Sequence, residues 1–290
     1  MIINNPFLPV QSPFFSVSRS IIALSVFLFI VVGCGDTAVK EDPAPVKGNA
    51  SREDLMKIIE GGWVNSDYAD ALNRVHSPMF AAEAGRPVQE LMFEVGGMKG
   101  DTVVNSTGRL NYLTGERFDV VLFDENGVTK MKIYQGETGD FKPLFLDYTF
   151  EQGTNDTLLM IINPGSNDTT WFRREFHKAP AKAGIAQNAL EHYVNRALFG
   201  GEWLDTEGNT VTFDPNGTVK GWDKWTWYSV EIDKYGTEIQ PDVMSAYNDK
   251  FGATYVFTLD NDRLQIYEYD SEKGDAGWTR GKVVAEFKRK

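Results

Sequence analysis

The stretch Ile-Glu-Gly-Gly-Trp-Val-Asn at residues 59–65 returns later in the chain as Leu-Phe-Gly-Gly-Glu-Trp-Leu-Asp at residues 198–205. The two stretches align when one residue is inserted in the second. In both, a pair of glycines ends an apolar segment with helical spacing, and a tryptophan opens a segment rich in strand-forming residues. This junction predicts two related domains, each a short helix followed by β-structure.

The outer ends of the two halves agree as well. Ser51 and Asp54 have capping-box spacing before the first junction, and an apolar helical face precedes the second. The first half closes with Trp-Phe-Arg-Arg-Glu-Phe at residues 171–176, and the second with Trp-Thr-Arg at 278–280 and Glu-Phe at 286–287. We interpret this ordered set as an internal duplication. It predicts one domain over residues 51–180 and a helix plus a second domain over residues 181–290.

Apolar and polar residues alternate between these landmarks, as in the run containing Phe118, Val120 and Leu122. Turn-forming segments such as Glu-Asn-Gly at residues 125–127 separate the runs. Short strands joined by tight turns predict all-β structure with short flanking helices, either antiparallel β-barrels or sandwiches. Residues 68–84 have helical spacing instead, so we expect a helical insert that covers the first domain.

A Gly-x-Trp motif on the first strand and an arginine on the last strand, enclosing an antiparallel meander, resemble the lipocalin or calycin barrel. The resemblance pairs Trp63 with Arg173 or Arg174, and Trp203 with Arg280. It implies two β-barrels in which the indole closes one end and the guanidinium stacks on it, a contact worth about 0.5–2 kcal/mol. It also implies either a cavity for a small apolar ligand or a barrel filled by its own side chains.

The N-terminal segment resembles the signal of a bacterial lipoprotein. An apolar run of about 12 residues is too short to span a bilayer. It ends in Val-Val-Gly-Cys at residues 31–34, and Cys34 is the only cysteine of the chain. This lipobox-like pattern predicts a signal peptide over residues 1–33 and lipidation of Cys34 with acyl chains such as palmitate. The polar, proline-containing residues that follow predict a disordered tether over residues 34–50.

The net charge limits the partners of the protein. Removing residues 1–33 takes away Arg19 and no acid, so the net charge changes from −12 to −13. Such a surface repels the phosphates of nucleic acid and anionic lipid head groups. We therefore expect no nucleic-acid partner, and we expect the membrane contact to be made by the lipid anchor. The predicted location is the bacterial cell envelope, at the outer membrane, either periplasmic or surface-exposed.

The sequence offers few catalytic groupings. The histidines His76, His177 and His192 lack metal-ligand spacing, and the sequence contains no nucleophile elbow, P-loop or dinucleotide motif. Acidic pairs are frequent because the chain has 41 Asp and Glu residues, and they fit solvated faces. The sequence therefore predicts no catalytic residue, no metal and no cofactor.

Residues 221–228, Gly-Trp-Asp-Lys-Trp-Thr-Trp-Tyr, form the densest aromatic segment. On a strand, Trp225 and Trp227 would point to one face and Tyr228 to the other. In one interpretation these rings and Trp222 belong to the core and its cover. In the other they form a platform on which sugar rings or an apolar ligand stack.

Three functions fit these features. The first is a membrane-anchored, non-enzymatic lipoprotein that binds a small apolar ligand or a glycan, with Trp222, Trp225, Trp227 and Tyr228 as candidate ligand-binding residues. The second is a structural or assembly protein of the envelope whose aromatic face binds another envelope protein. The third is a carboxylate-dependent hydrolase, which the spacing of the acids does not favour over chance.

Overall fold

The computed structural model describes residues 50–84, 88–95, 98–110, 113–135, 144–151, 153–154, 156–178, 188–223, 225–232, 241–270 and 279–290. The predicted signal peptide, Cys34 and the predicted tether up to residue 49 lie outside the described residues. The described residues belong to one compact unit, which contains two antiparallel β-sheets. Among the described helices, none is both long and apolar enough to cross a membrane.

The first sheet closes into an antiparallel barrel. Its strands are β1 (Gly61–Asn65), β2 (Val88–Phe93), β3 (Met98–Lys99), β4 (Thr102–Leu110), β5 (Leu113–Glu125), β6 (Val128–Gln135), β7 (Leu144–Phe150), β8 (Thr157–Asn163) and β9 (Asp168–Phe176). Strands β4 to β9 pair in chain order, β9 pairs with β1, and β2 joins β1 to β4. Eight strands therefore form the ring, and β3 adds a short hairpin to β4.

The second sheet has the same up-and-down order. Its strands are β10 (Gly201–Asp205), β11 (Thr210–Phe213), β12 (Val219–Lys220), β13 (Trp227–Val230), β14 (Val243–Tyr247), β15 (Gly252–Asp260), β16 (Arg263–Asp270) and β17 (Thr279–Arg289). A single bridge between Thr218 and Trp227 brings β12 to β13, and β10 pairs with β17. The predicted fold class, two antiparallel barrels with short helices arising from an internal repeat, is confirmed.

Each barrel is covered at one end by the helix that precedes its first strand. Helix α1 (Arg52–Ile59) begins at Ser51, whose hydroxyl accepts from the Asp54 amide at 3.2 Å, as the capping-box spacing predicts. Its buried residues join the core of the first barrel; they are Leu55, Met56 and Ile59. Helix α4 (Ala189–Val194) continues into a π-helix (Asn195–Phe199), which buries Leu198 and Phe199 in the core of the second barrel.

The two junctions, at residues 59–65 and 198–205, also have the same geometry in the structure. Trp63 Nε1 donates to the Ile59 carbonyl at 2.8 Å, and Trp203 Nε1 donates to the Phe199 carbonyl at 2.6 Å. Each tryptophan therefore lies four residues after its acceptor, so the junctions align without a gap and the predicted one-residue insertion is wrong. In this alignment Gly61 coincides with Gly201, and their φ angles are 113° and 116°, a region that favours glycine.

An arginine on the last strand of each barrel stacks on the indole. The guanidinium carbons of Arg174 and Arg289 lie 4.4 and 4.5 Å from the ring centroids of Trp63 and Trp203, their strand partners. Arg174 also donates to the Ile58 carbonyl, and Arg289 Nη2 donates to the Leu198 carbonyl at 2.8 Å. We call this arrangement of helix end, indole and guanidinium the junction lock.

Two of the predicted barrel-closing arginines have other roles. Arg173 points outward from β9 and pairs with Asp70 at 2.5 Å, so Arg174 is the correct alternative for Trp63. The predicted pairing of Trp203 with Arg280 is wrong. Arg280 stacks on Tyr267 at 5.5 Å and lies nine residues before Arg289 on β17, which places it about 30 Å away along the strand.

The helical insert lies at the junction of the two barrels. Helix α2 (Ser66–Val75) packs on the outside of β1 and β9, and α3 (Pro78–Ala81) follows it. Buried residues of α2 such as Tyr68 and Leu72 belong to one apolar cluster with α4 and the second core. The insert covers the first barrel from outside, as we expected, but it also packs against the second. The alternating residues Phe118, Val120 and Leu122 face the first core as predicted.

The corrected arginine assignment predicts unequal effects of two matched substitutions on β17. Arg289→Leu removes the stack on Trp203 and the bond to the Leu198 carbonyl, so we expect it to lower the free energy of unfolding by about 2 kcal/mol. Arg280→Leu changes an exposed residue and should alter that free energy by less than about 0.5 kcal/mol. Urea unfolding followed by tryptophan fluorescence measures both. Equal effects would contradict the assignment.

Candidate ligand-binding site

The predicted aromatic platform is part of the second core. Trp222, Trp225 and Tyr228 are buried, with exposed fractions of 8%, 6% and 0%, and Trp227 is half-buried. Trp225 lies before β13 rather than on it, in a turn where its amide donates to the Trp222 carbonyl at 3.0 Å. The alternation expected for a strand therefore fails at Trp225. Of the two interpretations of the segment, burial favours the structural one.

Aromatic rings fill the second barrel from end to end. Phe199 of the π-helix contacts Phe257 at 5.1 Å between ring centroids, and Phe213 contacts Tyr228 at 5.2 Å. At the end opposite α4, Trp222 lies 5.7 Å from Phe287, and Trp225 lies 6.1 Å from Tyr255; these distances also join ring centroids. Edge-to-face pairs of this kind stabilise a packed interior. The second barrel is thus closed at both ends by its own side chains.

A half-open cavity of about 510 Å³ lies at one end of the first barrel, between α1, β6 and β7. Its inner wall is apolar and is formed by Leu55 of α1, Met131 of β6, and Leu146 and Tyr148 of β7. Its outer part is lined by Ala50, Val128, Thr129, Lys130, Phe145, Asp147 and Ile162. An apolar pocket with a few polar groups at its mouth is the usual form of a small-molecule site. This cavity is the candidate ligand-binding site.

The cavity lies where β6 and β7 separate. Their ladder pairs Met131 with Leu146 and continues toward Ile133, but it does not extend to residues 128–130 and 147–150, all of which are described. On the other sides, β5 pairs with β6 as far as Val128, and β8 pairs with β7 as far as Phe150. We call the stretch in which β6 and β7 do not form a ladder with each other the β6–β7 slit.

Polar contacts fix α1 over the cavity. Arg52 at the start of α1 forms ion pairs with Asp101 and, at 3.1 Å, with Asp124. Thr129 at the slit donates to Asp124 at 2.8 Å, and this bond, aided by Arg52, holds the pKa of the Asp124 carboxyl below its usual value. The helix and the mouth of the cavity are therefore joined by one hydrogen-bonded group.

A second cavity of about 360 Å³ lies beside the barrel junction and is lined mainly by polar residues, with Val64, Leu158 and Phe176 among the apolar ones. Its three guanidinium groups already have partners: Arg173 pairs with Asp70, Arg196 with Glu175, and Arg174 stacks on Trp63. These charges are engaged within the protein, and the lining is less apolar than that of the cavity in the first barrel, so this cavity is the weaker candidate for an apolar ligand.

The buried carboxylates hold the two barrels together. Glu175 on β9 lies 2.6 Å from His192 Nδ1 and accepts from Arg196 at 2.6 and 2.8 Å, so it joins the first barrel to α4 and the π-helix. Burial alone would raise the pKa of Glu175, but the bonds from Arg196 and His192 outweigh it and keep that pKa below its usual value. Glu90 on β2 accepts from the Leu190 amide at 2.8 Å.

Asp242, just before β14, contacts α3 across the same junction. Its carboxylate accepts from the Ser77 hydroxyl at 2.8 Å and from the Met79 amide at 3.2 Å. Burial raises the pKa of Asp242 to about 6, against the opposing effect of these bonds and of Arg280. These acids have structural partners, and among the described residues no three His, Cys, Asp or Glu side chains are grouped to hold a metal.

The Asp242 carboxyl predicts a pH-dependent stability. Because its folded pKa of about 6 lies above the usual 3.8, its neutral form stabilises the fold below about pH 4, and this contribution is lost as the pH rises through about 6. Asp242→Asn keeps an acceptor for Ser77 and should raise the free energy of unfolding at pH 7.5 by about 1–3 kcal/mol, with little change at pH 4. Urea unfolding between pH 4 and 7.5 measures this.

The control is Asp249→Asn, which neutralises an exposed carboxylate nearby in the sequence. We expect its free energy of unfolding to follow the wild-type pH profile. If the free energy of unfolding of Asp242→Asn also follows the wild-type pH profile, the Asp242 carboxyl does not titrate in that range and the prediction is wrong.

The comparisons with known proteins leave the site to be interpreted from its own geometry. The sequence predicted the barrel and the possibility of a cavity, but it placed the candidate residues in the second barrel rather than the first. No family model, curated protein or solved structure matches this chain.

Proposed function

We propose that the chain is a membrane-anchored, non-enzymatic lipoprotein that binds a small apolar ligand in the cavity of its first barrel. The observation that carries the proposal is the cavity of about 510 Å³ with Leu55, Met131, Leu146 and Tyr148 on its inner wall. Apolar surface of this kind gains free energy when a ligand excludes water from it, at roughly 25 cal/mol per Å².

The difference between the barrels supports an apolar ligand over a glycan. The tryptophans that suggested sugar stacking, Trp222 and Trp225, are packed in the second core and have little exposed ring surface. In the first barrel, the inner wall of the cavity is formed mainly by the aliphatic and thioether side chains of Leu55, Met131 and Leu146. Glu175, Glu90 and Asp242 serve the junction, which argues against the carboxylate-dependent hydrolase.

The membrane anchor belongs to the same proposal. Its support is the lipobox-like Val-Val-Gly-Cys at residues 31–34 and the net charge of −12, which disfavours adhesion to an anionic surface. Two or more acyl chains on Cys34 would hold the protein at the membrane, whereas one chain anchors weakly.

If the cavity is the ligand-binding site, a larger side chain that fills it should lower the affinity of the protein for an apolar probe. The probe is diphenylhexatriene, whose fluorescence rises when it leaves water. Leu146→Trp places a large ring in the cavity, and we expect it to weaken binding by at least about tenfold. Val283→Trp, at an exposed position of β17, is the matched control and should bind like the wild type. Thermal unfolding verifies that both variants remain folded.

A second comparison separates the two barrels. Trp225→Phe changes the second core and should leave diphenylhexatriene affinity within about twofold of the wild type. The proposal is wrong if the wild-type chain does not bind the probe, or if Trp225→Phe weakens binding while Leu146→Trp does not.

Lipidation predicts a change of location when Cys34 is replaced. We expect Cys34→Ser to abolish incorporation of an alkyne-labelled palmitate and to move the protein out of the lipid-anchored fraction, because the thiol that carries the acyl group is lost. Gly35→Ser, which introduces the same side chain one residue later, is the control and should stay labelled. Labelling and detergent phase partitioning measure the two effects. Equal labelling of the two variants would contradict the anchor.

A further inference from the structure

One tryptophan of the aromatic segment at residues 221–228 points away from the second core. Tyr228 and Val230 of β13 belong to that core. Because side chains alternate along a strand, Trp227 and Ser229 point to the outer face of the barrel, where both are half-buried. The packing that removes the other two tryptophans from solvent therefore does not include Trp227.

The two neighbouring strands extend this outer face. Two rows of outward-facing residues cross β13, β14 and β15, and partners in adjacent strands have Cβ atoms about 5 Å apart. The first row carries two aromatic rings and ends in a glycine, and the second row carries three hydroxyl groups. The rows consist of Trp227, Tyr247 and Gly252, and of Ser229, Ser245 and Thr254. We call these six residues the outer platform.

The glycine lets the Tyr247 ring lie close to the sheet. A Cβ atom added to Gly252 would be 2.7 Å from Cδ1 of Tyr247, so the ring occupies the space that a side chain at position 252 would need. Toward the other strand, the Tyr247 hydroxyl lies 3.5 Å from Ser229 Oγ. The ring thus has a neighbour on each side and is fixed beside Trp227.

The hydroxyl row has hydrogen-bonding capacity to spare. Ser245 Oγ lies 3.3 Å from Thr254 Oγ1, and the contact of Ser229 with Tyr247 is longer still. A hydroxyl has one donor position and two acceptor positions. Single contacts of this length therefore leave most of the capacity of the row for a ligand.

The outer platform is uncharged, although the chain has a net charge of −12. The charged residues Glu231, Asp249 and Lys250 lie beyond its two ends along the strands. Charge complementarity therefore favours a neutral partner. The sugar rings of a neutral glycan offer an apolar C–H face to the aromatic row and hydroxyl groups to the hydroxyl row.

We infer that the outer platform is a second binding site, which takes a neutral glycan. Sugar rings stack on Trp227 and Tyr247, and their hydroxyl groups exchange hydrogen bonds with Ser229, Ser245 and Thr254. The site lies on the outside of the second barrel, apart from the cavity of the first. It leaves the apolar ligand of the cavity unchanged and does not rest on the proposed function.

Binding of the full chain to an array of neutral and acidic oligosaccharides tests the inference. We expect the wild type to bind neutral members and not acidic ones. Isothermal titration calorimetry then measures the affinity for the neutral oligosaccharide that binds best. Trp227→Ala and Tyr247→Ala each remove a stacking ring and should weaken binding by at least about tenfold.

Gly252→Ala tests the position of the ring without removing any platform side chain. The added methyl group displaces the Tyr247 ring, and the backbone at 252 is outside the left-handed region, so alanine adds no backbone strain. We expect affinity to fall by at least about threefold, because the displaced ring loses stacking contact.

The matched controls are Trp171→Ala and Tyr134→Ala, which remove exposed rings from the outside of the first barrel. Both should bind the oligosaccharide like the wild type, and thermal unfolding verifies that every variant remains folded.

Three outcomes would overturn the inference. The wild type binds no neutral oligosaccharide, it binds acidic ones alone, or the platform variants bind as tightly as the two controls. Diphenylhexatriene binding tests the cavity separately, so failure of the platform and failure of the proposed function are distinguished.

Discussion

The junction lock is the constraint on which both barrels depend. In each repeat the indole donates to the end of the preceding helix, and the guanidinium of the last strand stacks on that indole, at 4.4 Å in one barrel and 4.5 Å in the other. The lock thereby joins the first strand, the last strand and the helix that covers the barrel end. Burial lowers the pKa of both Arg174 and Arg289. Because the ordinary pKa of arginine is so high, both side chains nevertheless stay charged at physiological pH.

Around this shared lock the two repeats have diverged in how they fill their interiors. The indole acceptor is Ile59 in the first repeat and Phe199 in the second, and Phe199 begins a chain of ring contacts through Phe213, Tyr228 and Phe257. The same scaffold therefore carries a chain of aromatic contacts in the second core, and the cavity between α1, β6 and β7 in the first barrel.

The sequence was most informative where an interaction is local. The capping box at Ser51, the glycines before Trp63 and Trp203, and the alternation at Phe118 each depend on a few neighbouring residues, and they predicted the helix, the repeat and the barrel walls. The arginine partner of Trp203 was missed because a motif names an arginine on the last strand without specifying its position along that strand. Alternation also fails before a strand begins, as at Trp225.

The site itself had no signal of this kind. Val128 to Lys130 and Asp147 to Phe150 show ordinary strand composition, and the slit arises because β6 and β7 pair over only part of their length. The point at which β6 and β7 separate depends on how the whole ring closes and on the position of α1. Arg52 of α1 is linked to Thr129 of β6 through Asp124. Where β6 and β7 stop pairing is decided by contacts between residues that are not neighbours in the chain, and no local sequence pattern encodes these contacts.

Helix α4 and its π-helical extension belong to both barrels at once. Leu198 and Phe199 complete the second core, while Leu190, His192 and Arg196 bind Glu90 and Glu175 on the outside of the first. Pulling the barrels apart would therefore also uncover the end of the second core. The molecule should not behave as two beads on a string: its repeats share one structural element and should unfold in a single cooperative step.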